Sequence, residues 1–471
     1  MDAFRQHRTW QRARRLSLSQ LVCLGRHTLT GLFCACGRQF VDWSADYRLF
    51  SKDRWDAGEL FVPVIRGILD LLEPRRPFVT ALDDTLLKKS GTKTPGVAYR
   101  RDPLSPPFHV NFIRGQRFIQ LSGMVPNGDV PASGRGVPIR FEHVPPVRKP
   151  KRSAPPQAWK AYRKECRARN LNTHAVALLQ EVRGELDRQH HAEDRPFVVA
   201  VDGSYTNKTV LKNLPERTTL IGRIRKDAKL FYPPCEENQP AVGAKRKYGP
   251  QAPTPQQLRQ DDSIAWQEVT AFGAGTTHTF RIKTISPVLW KKAGPDNYLR
   301  MVVIAPVGYR LRKGSKLLYR QPAYLICTDP GLPLDELIQY YLWRWDVEVN
   351  HRDEKQIIGV GQAQVRSPRS VDRQPTLAVA SYAILLLAAV QAFGIDAVDG
   401  VLPPPKWQKH RTRQRLSTPE LIRQLRSEVW AYAIDQLDDN SNDFVTERYA
   451  STKSPKLTLP VTSALLYANT G

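Results

Sequence analysis

The chain has 471 residues, of which 41% are hydrophobic, so it is long enough for two or three domains with a large core. Lys and Arg number 71 against 45 Asp and Glu, and the resulting net charge of +26 favours a polyanionic partner such as nucleic acid. The charge is spread along the chain, which suits a long duplex better than a small phosphorylated metabolite. The six cysteines lack the spacing of a zinc site and are too few for a disulfide-stabilised secreted chain, which favours a reducing cytosol.

The first third of the chain predicts helices followed by strands. Residues 1–75 have apolar positions at helical spacing and a basic start, as expected of a helical DNA-binding region. Residues 77–82 then predict a strand that delivers Asp83 and Asp84 at its end, with further strands expected near 109–112 and 117–121. Carboxylates at the end of a strand are well placed to form a site.

The middle of the chain predicts a linker, a buried strand and a β-rich block. Residues 144–170 are basic and rich in proline, which indicates either a solvated linker and helix or an arm that contacts phosphates. The apolar run at 196–201 is the clearest buried strand, and Asp202 follows it directly. Short strands alternate with polar segments over 205–330, and a mobile loop is expected at 236–262.

Residues 341–355 predict a single helix with an unusual polar stripe. Tyr341, Arg344, Glu348 and Lys355 stand at offsets 0, 3, 7 and 14, which places them within a stripe roughly 60° wide. One carboxylate is thereby flanked by two cations and a phenol, as expected where a glutamate holds a metal ion and its neighbours grip phosphate oxygens. An ion-paired, solvated helix face is the alternative interpretation.

Two features complete the C-terminal part. The apolar run at 377–393 approaches the length of a membrane span, but its polar residues and the bracketing Pro375 and Gly394 indicate a buried core helix. A basic run at 406–415 is followed by a helix that begins near Thr418. We therefore expect no membrane-spanning segment.

Three carboxylates remote in sequence stand out as candidate catalytic residues and metal ligands: Asp83, Asp202 and Glu348, with Asp84 as an alternative to Asp83. Carboxylate oxygens are hard ligands that suit Mg²⁺, and two such ions can activate an attacking hydroxyl and stabilise the leaving oxygen in phosphoryl transfer. Each Asp taken alone is equally well explained as a turn or helix-capping residue.

With these residues, the sequence resembles the DDE transposases of bacterial insertion sequences, specifically the group with a Y-x2-R-x3-E-x6-K signature. Tyr341, Arg344, Glu348 and Lys355 match that signature without a gap. Asp83 followed by Asp84 and Thr85 is similar to the first-acid region of the group, and Asp202 is similar to the second acid. The resemblance spans roughly residues 75 to 395.

The resemblance implies an α/β fold: an RNase H-like core with a mixed sheet flanked by helices, a β-rich insertion before the catalytic Glu helix, and helical N- and C-terminal regions. The 146 residues between Asp202 and Glu348 (348 − 202) leave room for that insertion. The expected domains are an N-terminal DNA-binding region (1–75), the first part of the core (76–204), the β-rich insertion (205–330), the second part of the core (331–400) and a basic C-terminal region (401–471).

The resemblance also implies roles for individual residues. Asp83, Asp202 and Glu348 would hold two Mg²⁺ ions, for which Mn²⁺ can substitute, and a second set would contact DNA phosphates: Tyr341, Arg344, Lys355, Lys88 and Lys89. His351, at the edge of the same stripe, is expected to be a phosphate contact or a surface histidine, with a general-base role as a less favoured alternative.

The function expected from the resemblance is that of an insertion-sequence transposase. It would bind the inverted ends of its element as a homodimer on double-stranded DNA, cut a strand there and join the freed 3′-hydroxyl to target DNA. A cytoplasmic, nucleoid-associated location in a bacterium follows from that role. The alternatives are an RNase H-like nuclease without strand transfer and a catalytically inactive DNA-binding derivative.

Overall fold

A computed structural model describes residues 3–438 apart from 92, 103–104, 107, 190–191, 236–238, 241–242, 311–313, 397–401, 404–406 and 408–414. The helices are α1 His7–Val22, α2 Leu29–Ala35, α3 Ser44–Ser51, α4 Val62–Asp70, α5 Pro156–Ala168, α6 Leu171–Arg188, α7 Lys208–Leu211, α8 Pro255–Gln260, α9 Leu334–Trp343, α10 Trp345–Gln356, α11 Pro368–Phe393 and α12 Thr418–Asp438. The strands are β1 Phe78–Lys88, β2 Ala98–Arg101, β3 Phe112–Pro126, β4 Gly134–His143, β5 Phe197–Val201, β6 Thr218–Arg223, β7 Gln267–Gly273, β8 Thr276–Trp290, β9 Gly294–Ile304, β10 Gly308–Tyr309, β11 Leu318–Tyr319 and β12 Ala323–Cys327.

Ten of these strands form one mixed sheet in the order β2-β3-β1-β5-β6-β12-β9-β8-β7, with β4 also paired to β3. The neighbours β1, β5 and β6 run parallel, and the other pairs are antiparallel. Helices cover both faces, so that β5 in the centre is buried at every position. The expected α/β fold with an RNase H-like core is confirmed.

The strand that carries the first acids is longer than the sequence predicts. β1 continues to Lys88 because β3 pairs with it along the whole stretch from Thr80 to Lys88. The parallel neighbour β5 pairs only as far as Leu82, which faces Val201. Asp83 and Asp84 therefore lie in the middle of β1, at the point where its parallel neighbour ends, and the prediction that they end the strand is wrong.

The β-rich block at 205–330 continues the core sheet. β6 adds to β5 in parallel, β12 adds to β6 antiparallel, and β9, β8 and β7 follow outward. The segment expected to be a loop at 236–262 contains α8, whose first turn is closed by a capping box between Thr254 and Gln257. Since one hydrogen-bonded sheet runs through core and block, the division into domains stays a prediction.

The apolar run near residue 380 belongs to α11, which is long and apolar enough to cross a membrane by length and composition. In the protein, however, 83% of its most apolar window is buried, which confirms the predicted core helix. The predicted start at Pro375 is wrong. The helix begins seven residues earlier at Pro368, where the Ser367 side chain accepts a hydrogen bond from the Ser370 amide, and it ends at Gly394 with a positive φ of 74°.

The terminal regions pack against this helix. α1 and α3 lie on α11, where Leu16, Leu49 and Phe50 share a buried cluster with Val371 and Leu377. At the other end of the chain, α12 begins at Thr418 as predicted. Most of the basic run at 406–415 and all of 439–471 lie outside the described residues.

Candidate active site

Asp83 and Asp202 lie side by side at the centre of the sheet. Leu82 of β1 and Val201 of β5 are register partners on parallel strands, and the two aspartates are the next residues along. Adjacent strands are about 4.8 Å apart, so the carboxylates start from neighbouring backbone positions. Asp202 Oδ1 is fixed by the Ser204 amide at 2.8 Å and by the Ser204 hydroxyl at 2.6 Å.

Asp84 points to the other face of the sheet, because successive side chains of a strand alternate. Its carboxylate accepts a hydrogen bond from the Tyr205 hydroxyl at 3.1 Å and pairs with Arg117 Nε at 3.1 Å. Tyr205 is fully buried. Asp84 is thus held by protein partners, away from the helix that carries Glu348.

The polar stripe at 341–355 is divided between two helices, so the prediction of a single helix is wrong. α9 ends at Trp343, Arg344 forms a turn, and α10 begins at Trp345. Arg344 nevertheless joins the predicted site residues: Nη2 donates to Glu348 Oε1 at 2.9 Å, and Nη1 lies 3.9 Å from Asp83 Oδ2. Its guanidinium lies 5.8 Å from the centre of the Tyr341 ring. The arginine therefore connects the first and third acids.

Contacts with β4 hold the start of α10 on the sheet. A Cβ atom on Gly136 would come within 2.8 Å of the Asp346 Cβ, so this close approach requires glycine. The Gly136 amide donates to Asp346 Oδ2 at 2.7 Å, and Asn350 Nδ2 donates to the Gly136 carbonyl at 3.1 Å. Asp346 also accepts from Arg415 Nη1 at 3.0 Å. These bonds explain Asp346, which the sequence leaves without a role.

The inner face of α10 is polar and buried. Asp353 accepts hydrogen bonds from the Thr418 hydroxyl at 2.6 Å and from the Tyr382 hydroxyl at 3.5 Å, which connects α10 to α11 and α12. His351 and Glu354 are 7% and 1% exposed. The expectation that His351 is a surface residue or phosphate contact is wrong, because this side of α10 packs on β1, β3 and β4.

Burial shifts the pKa of several of these groups. Loss of solvent raises the pKa of Asp83 to about 7, opposed by the Asp84 amide and reinforced by the charges of Asp202 and Asp84. Burial also raises the pKa of Asp84, although Arg117 and Tyr205 act in the opposite direction. The charge of Asp202 contributes to the raised pKa of Asp83, and a cation bound between these two carboxylates would relieve that repulsion.

The three predicted lysines differ in their surroundings. Lys355 is exposed on the Asp83 side; desolvation lowers its pKa, and Glu354 and Asp83 oppose that shift. Lys88 is exposed at the end of β1. Lys89 donates to the carbonyls of Gly361 at 2.6 Å and Ala363 at 3.0 Å, and burial lowers its pKa to about 8. Two of the three donors of Lys89 are thereby occupied within the protein.

The donor chemistry of the site suits magnesium, because Asp83, Asp202 and Glu348 present only hard carboxylate oxygens. As the side chains stand, the described part of the chain holds no group of three His, Cys, Asp or Glu residues that could hold one metal ion. Arg344 accounts for this arrangement, since it binds the Glu348 carboxylate and lies against Asp83. The residues therefore fit the ion in type, while the Glu348 carboxylate is bound to Arg344.

A basic cavity of about 960 Å³ opens beside Asp202, and Gly203 belongs to its wall. Its cationic side chains come from β6, from the segment that follows it, from α8 and from the turn after β8: Arg223, Arg225, Lys226, Lys229, Arg259 and Lys292. Asp227, which also lines it, pairs with Arg225 at 2.8 Å. The β-rich block thus lines a positively charged cavity whose wall includes Gly203, the residue after Asp202.

Asp83 within β1, Asp202 directly after β5 and Glu348 on α10 are thus carried by a mixed α/β fold with an RNase H-like core. Residues 1–293 match the family model described as DDE superfamily endonuclease. This match covers more than half of the chain, and the protein belongs to that family. No curated protein matches the chain significantly.

The family match includes Asp83, Asp84 and Asp202 and ends before α9. The family match also includes the N-terminal helices, whereas the resemblance based on sequence motifs begins only near residue 75. The signature carried by Tyr341, Arg344, Glu348 and Lys355 lies outside the match, so membership of the narrower group stays a prediction. Glu348 is connected to the two aspartates by its position in the fold.

Sequence reasoning missed residues that shape the site without resembling catalytic ones. Tyr205 and Arg117 orient Asp84, whereas Gly136 and Asn350 position α10. Tyr205 follows Asp202 by three residues, and that spacing was the one local signal available. The contributions of the others depend on contacts between distant segments, which no local pattern shows.

Proposed function

We propose that this DDE superfamily endonuclease is the transposase of a bacterial insertion sequence, which cuts DNA at the element ends and transfers the cut strand to target DNA. The observation that supports this proposal best is the adjacency of Asp83 and Asp202 on parallel strands, with Glu348 held beside Asp83 through Arg344. Nucleic acid as the substrate accords with the net charge of +26 and with the basic cavity next to Asp202.

The three acids are proposed to hold Mg²⁺, for which Mn²⁺ can substitute, as two ions per site. When bound, such ions activate the attacking hydroxyl and stabilise the leaving oxygen of a phosphoryl transfer. Asp83 is preferred over Asp84 because it faces α10, whereas Asp84 is engaged by Tyr205 and Arg117 on the other face.

The remaining residues of the stripe are proposed to position DNA. Arg344 can exchange its bond to Glu348 for a phosphate oxygen, to which a guanidinium binds in a forked geometry. Lys355 and Lys88 are exposed and can reach the phosphates of the DNA backbone. The Tyr341 ring packs against the Arg344 guanidinium. Lys89 is the weakest member of this set because its ammonium group already binds two carbonyls.

The same proposal includes double-stranded DNA as partner, a homodimer that pairs the two element ends, and a cytoplasmic, nucleoid-associated location. An RNase H-like nuclease that cuts without strand transfer is the alternative within enzymes. A DNA-binding derivative that has lost catalysis is less favoured, since all three acids are present.

The test is cleavage of DNA that carries the sequences flanking the gene, with Mg²⁺ or Mn²⁺, followed by detection of joined products on a target plasmid. Asp202→Asn and Glu348→Gln are expected to abolish cleavage, whereas Asp335→Asn, an exposed acid in the first turn of α9, should retain it. Cleavage without joined products would favour the nuclease alternative. Full activity of Asp202→Asn would refute the proposed site.

A further inference from the structure

The hairpin formed by β2 and the start of β3 has an alternating surface of aromatic and arginine side chains. Two directly opposed pairs, Tyr99 with Arg114 and Arg101 with Phe112, each combine one aromatic residue with one arginine. Directly opposed residues of an antiparallel pair lie on the same face, and residues two apart along a strand do so as well. These four side chains therefore share one face of the hairpin.

The rings on this face are unusually exposed. Tyr99 is 71% and Phe112 65% exposed, and Phe108, between the two strands, is 100% exposed. The Arg114 guanidinium lies 5.5 Å from the centre of the Tyr99 ring and donates to the Gly91 carbonyl at 3.3 Å. Exposed rings on one face, one of them packed against an arginine, mark an interaction surface, because they contribute nothing to the core.

This face and Asp83 lie on the same side of the sheet, with buried side chains between them. Along β3, side chains two residues apart lead from Phe112 through Arg114, Gln116 and Phe118 to Gln120, which is the register partner of Asp83. Six residues of strand from Gln120 to Arg114 span roughly 20 Å at about 3.3 Å per residue. Gln116, Phe118 and Gln120 are fully buried, so DNA that reaches both places passes over the segments that cover them.

The composition of the face favours nucleic acid over protein as the occupant. Aromatic rings and guanidinium planes stack on bases, and the positive charge of arginine neutralises phosphates. A second copy of this chain would bring another net charge of +26 toward the two arginines, which disfavours self-association here. Bases inside a duplex are already stacked on each other, so rings in this position have access only to unpaired ones.

We propose that the Tyr99, Arg101, Phe112 and Arg114 face binds unpaired bases of DNA held at the Asp83 site, which lies on the same side of the sheet roughly 20 Å away along β3. The identity of the polyanion as DNA rests on the proposed function; the stacking surface itself does not. Binding there gives the enzyme a preference for DNA with a frayed or single-stranded end.

The experiment compares binding of a single strand of about 16 nucleotides with binding of a blunt duplex of the same sequence, at one salt concentration and without metal ion. The full-length Tyr99→Ala/Phe112→Ala variant should bind the single strand about tenfold or more weakly and the duplex within about twofold of wild type. Tyr99→Phe should bind like wild type because the ring is kept. Tyr298→Ala/Tyr319→Ala, which removes two exposed rings of the β-rich block, is the matched control.

Several outcomes would overturn the inference. Equal losses for single strand and duplex would assign the face to backbone contact, and unchanged binding would remove it from DNA binding altogether. A lower sedimentation coefficient of the DNA-free Tyr99→Ala/Phe112→Ala variant than of wild type would assign the face to self-association. Because binding is measured without cleavage, the inference can fail while metal-dependent cleavage is retained, and it can hold in a protein that does not cut.

Discussion

Replacing Glu354 by glutamine is expected to stabilise the protein at neutral pH. Glu354 on α10 is 1% exposed, and burial raises its pKa from 4.5 to about 8. The groups around it are Gln120 on β3, Tyr382 on α11, and Asp353 and Lys355 on its own helix. Gln120 and Lys355 lower the pKa, but not enough to offset the burial. The folded protein therefore keeps a proton on Glu354 that the unfolded chain releases.

The sign and size of this stability difference follow from proton linkage. Between about pH 4.5 and pH 8 the unfolded state binds fewer protons at Glu354 than the folded state, so the free energy of unfolding falls as the pH rises. The slope is about 1.4 kcal/mol per pH unit, which amounts to roughly 3 kcal/mol at pH 7. Glutamine has nearly the same shape and carries no charge at any pH, so the variant should escape this loss.

The assay is chemical unfolding of wild type and Glu354→Gln from pH 5 to pH 8.5. The stability of the variant relative to wild type should increase by about 1 kcal/mol or more per pH unit up to about pH 8 and then level off. Glu268→Gln, an exposed glutamate on β7, should show no such trend. If the stability difference between Glu354→Gln and wild type does not depend on pH, the claim that Glu354 is buried in its uncharged form is refuted.

Three further predictions concern the inner face and the edge of the site. Burial lowers the pKa of His351 to about 3, so the folded state resists protonation. Wild type should lose stability relative to His351→Gln as the pH falls from about 6.5 toward 3, measured by chemical unfolding over that pH range. Gly136→Ala forces a Cβ against Asp346 and should lower the free energy of unfolding by about 1–3 kcal/mol and reduce DNA cleavage. Unchanged stability and cleavage would mean that α10 is not held by this contact. Lys88→Gln should weaken DNA binding and reduce the slope of log affinity against log salt concentration by about 1. Lys89→Met should leave that slope unchanged and lower the free energy of unfolding, because the carbonyls of Gly361 and Ala363 lose their donor. The reverse result would contradict the roles assigned to the two lysines.

The sequence predicted those parts of the fold that depend on local pattern. The run at 196–201 is apolar at every position, so β5 and the placement of Asp202 after it could be predicted, as could the core helix α11. The position of Asp83 within β1 could not, because it depends on where β5 stops pairing. Where a strand ends is decided by its neighbours as much as by its own residues.

The helix of the candidate site shows a second reason for failure. The spacing of Arg344 and Glu348 correctly suggested a shared face, and the two residues do form an ion pair. The break between α9 and α10, however, lies where the chain packs on Gly136 of β4, some 200 residues earlier. The inner face of α10 carries His351 and Glu354 where a core normally has apolar residues. The polar character of His351 therefore led to the wrong expectation that it is exposed to solvent.

Binding of Mn²⁺ to the full-length protein in the presence of DNA, measured by titration calorimetry, tests the central claim most directly. Asp83→Asn, Asp202→Asn and Glu348→Gln should each abolish or strongly weaken binding, because each removes one carboxylate of a shared site. Asp84→Asn, on the opposite face of β1, should bind the ion like wild type. Wild-type binding by Asp83→Asn together with its loss in Asp84→Asn would contradict the account.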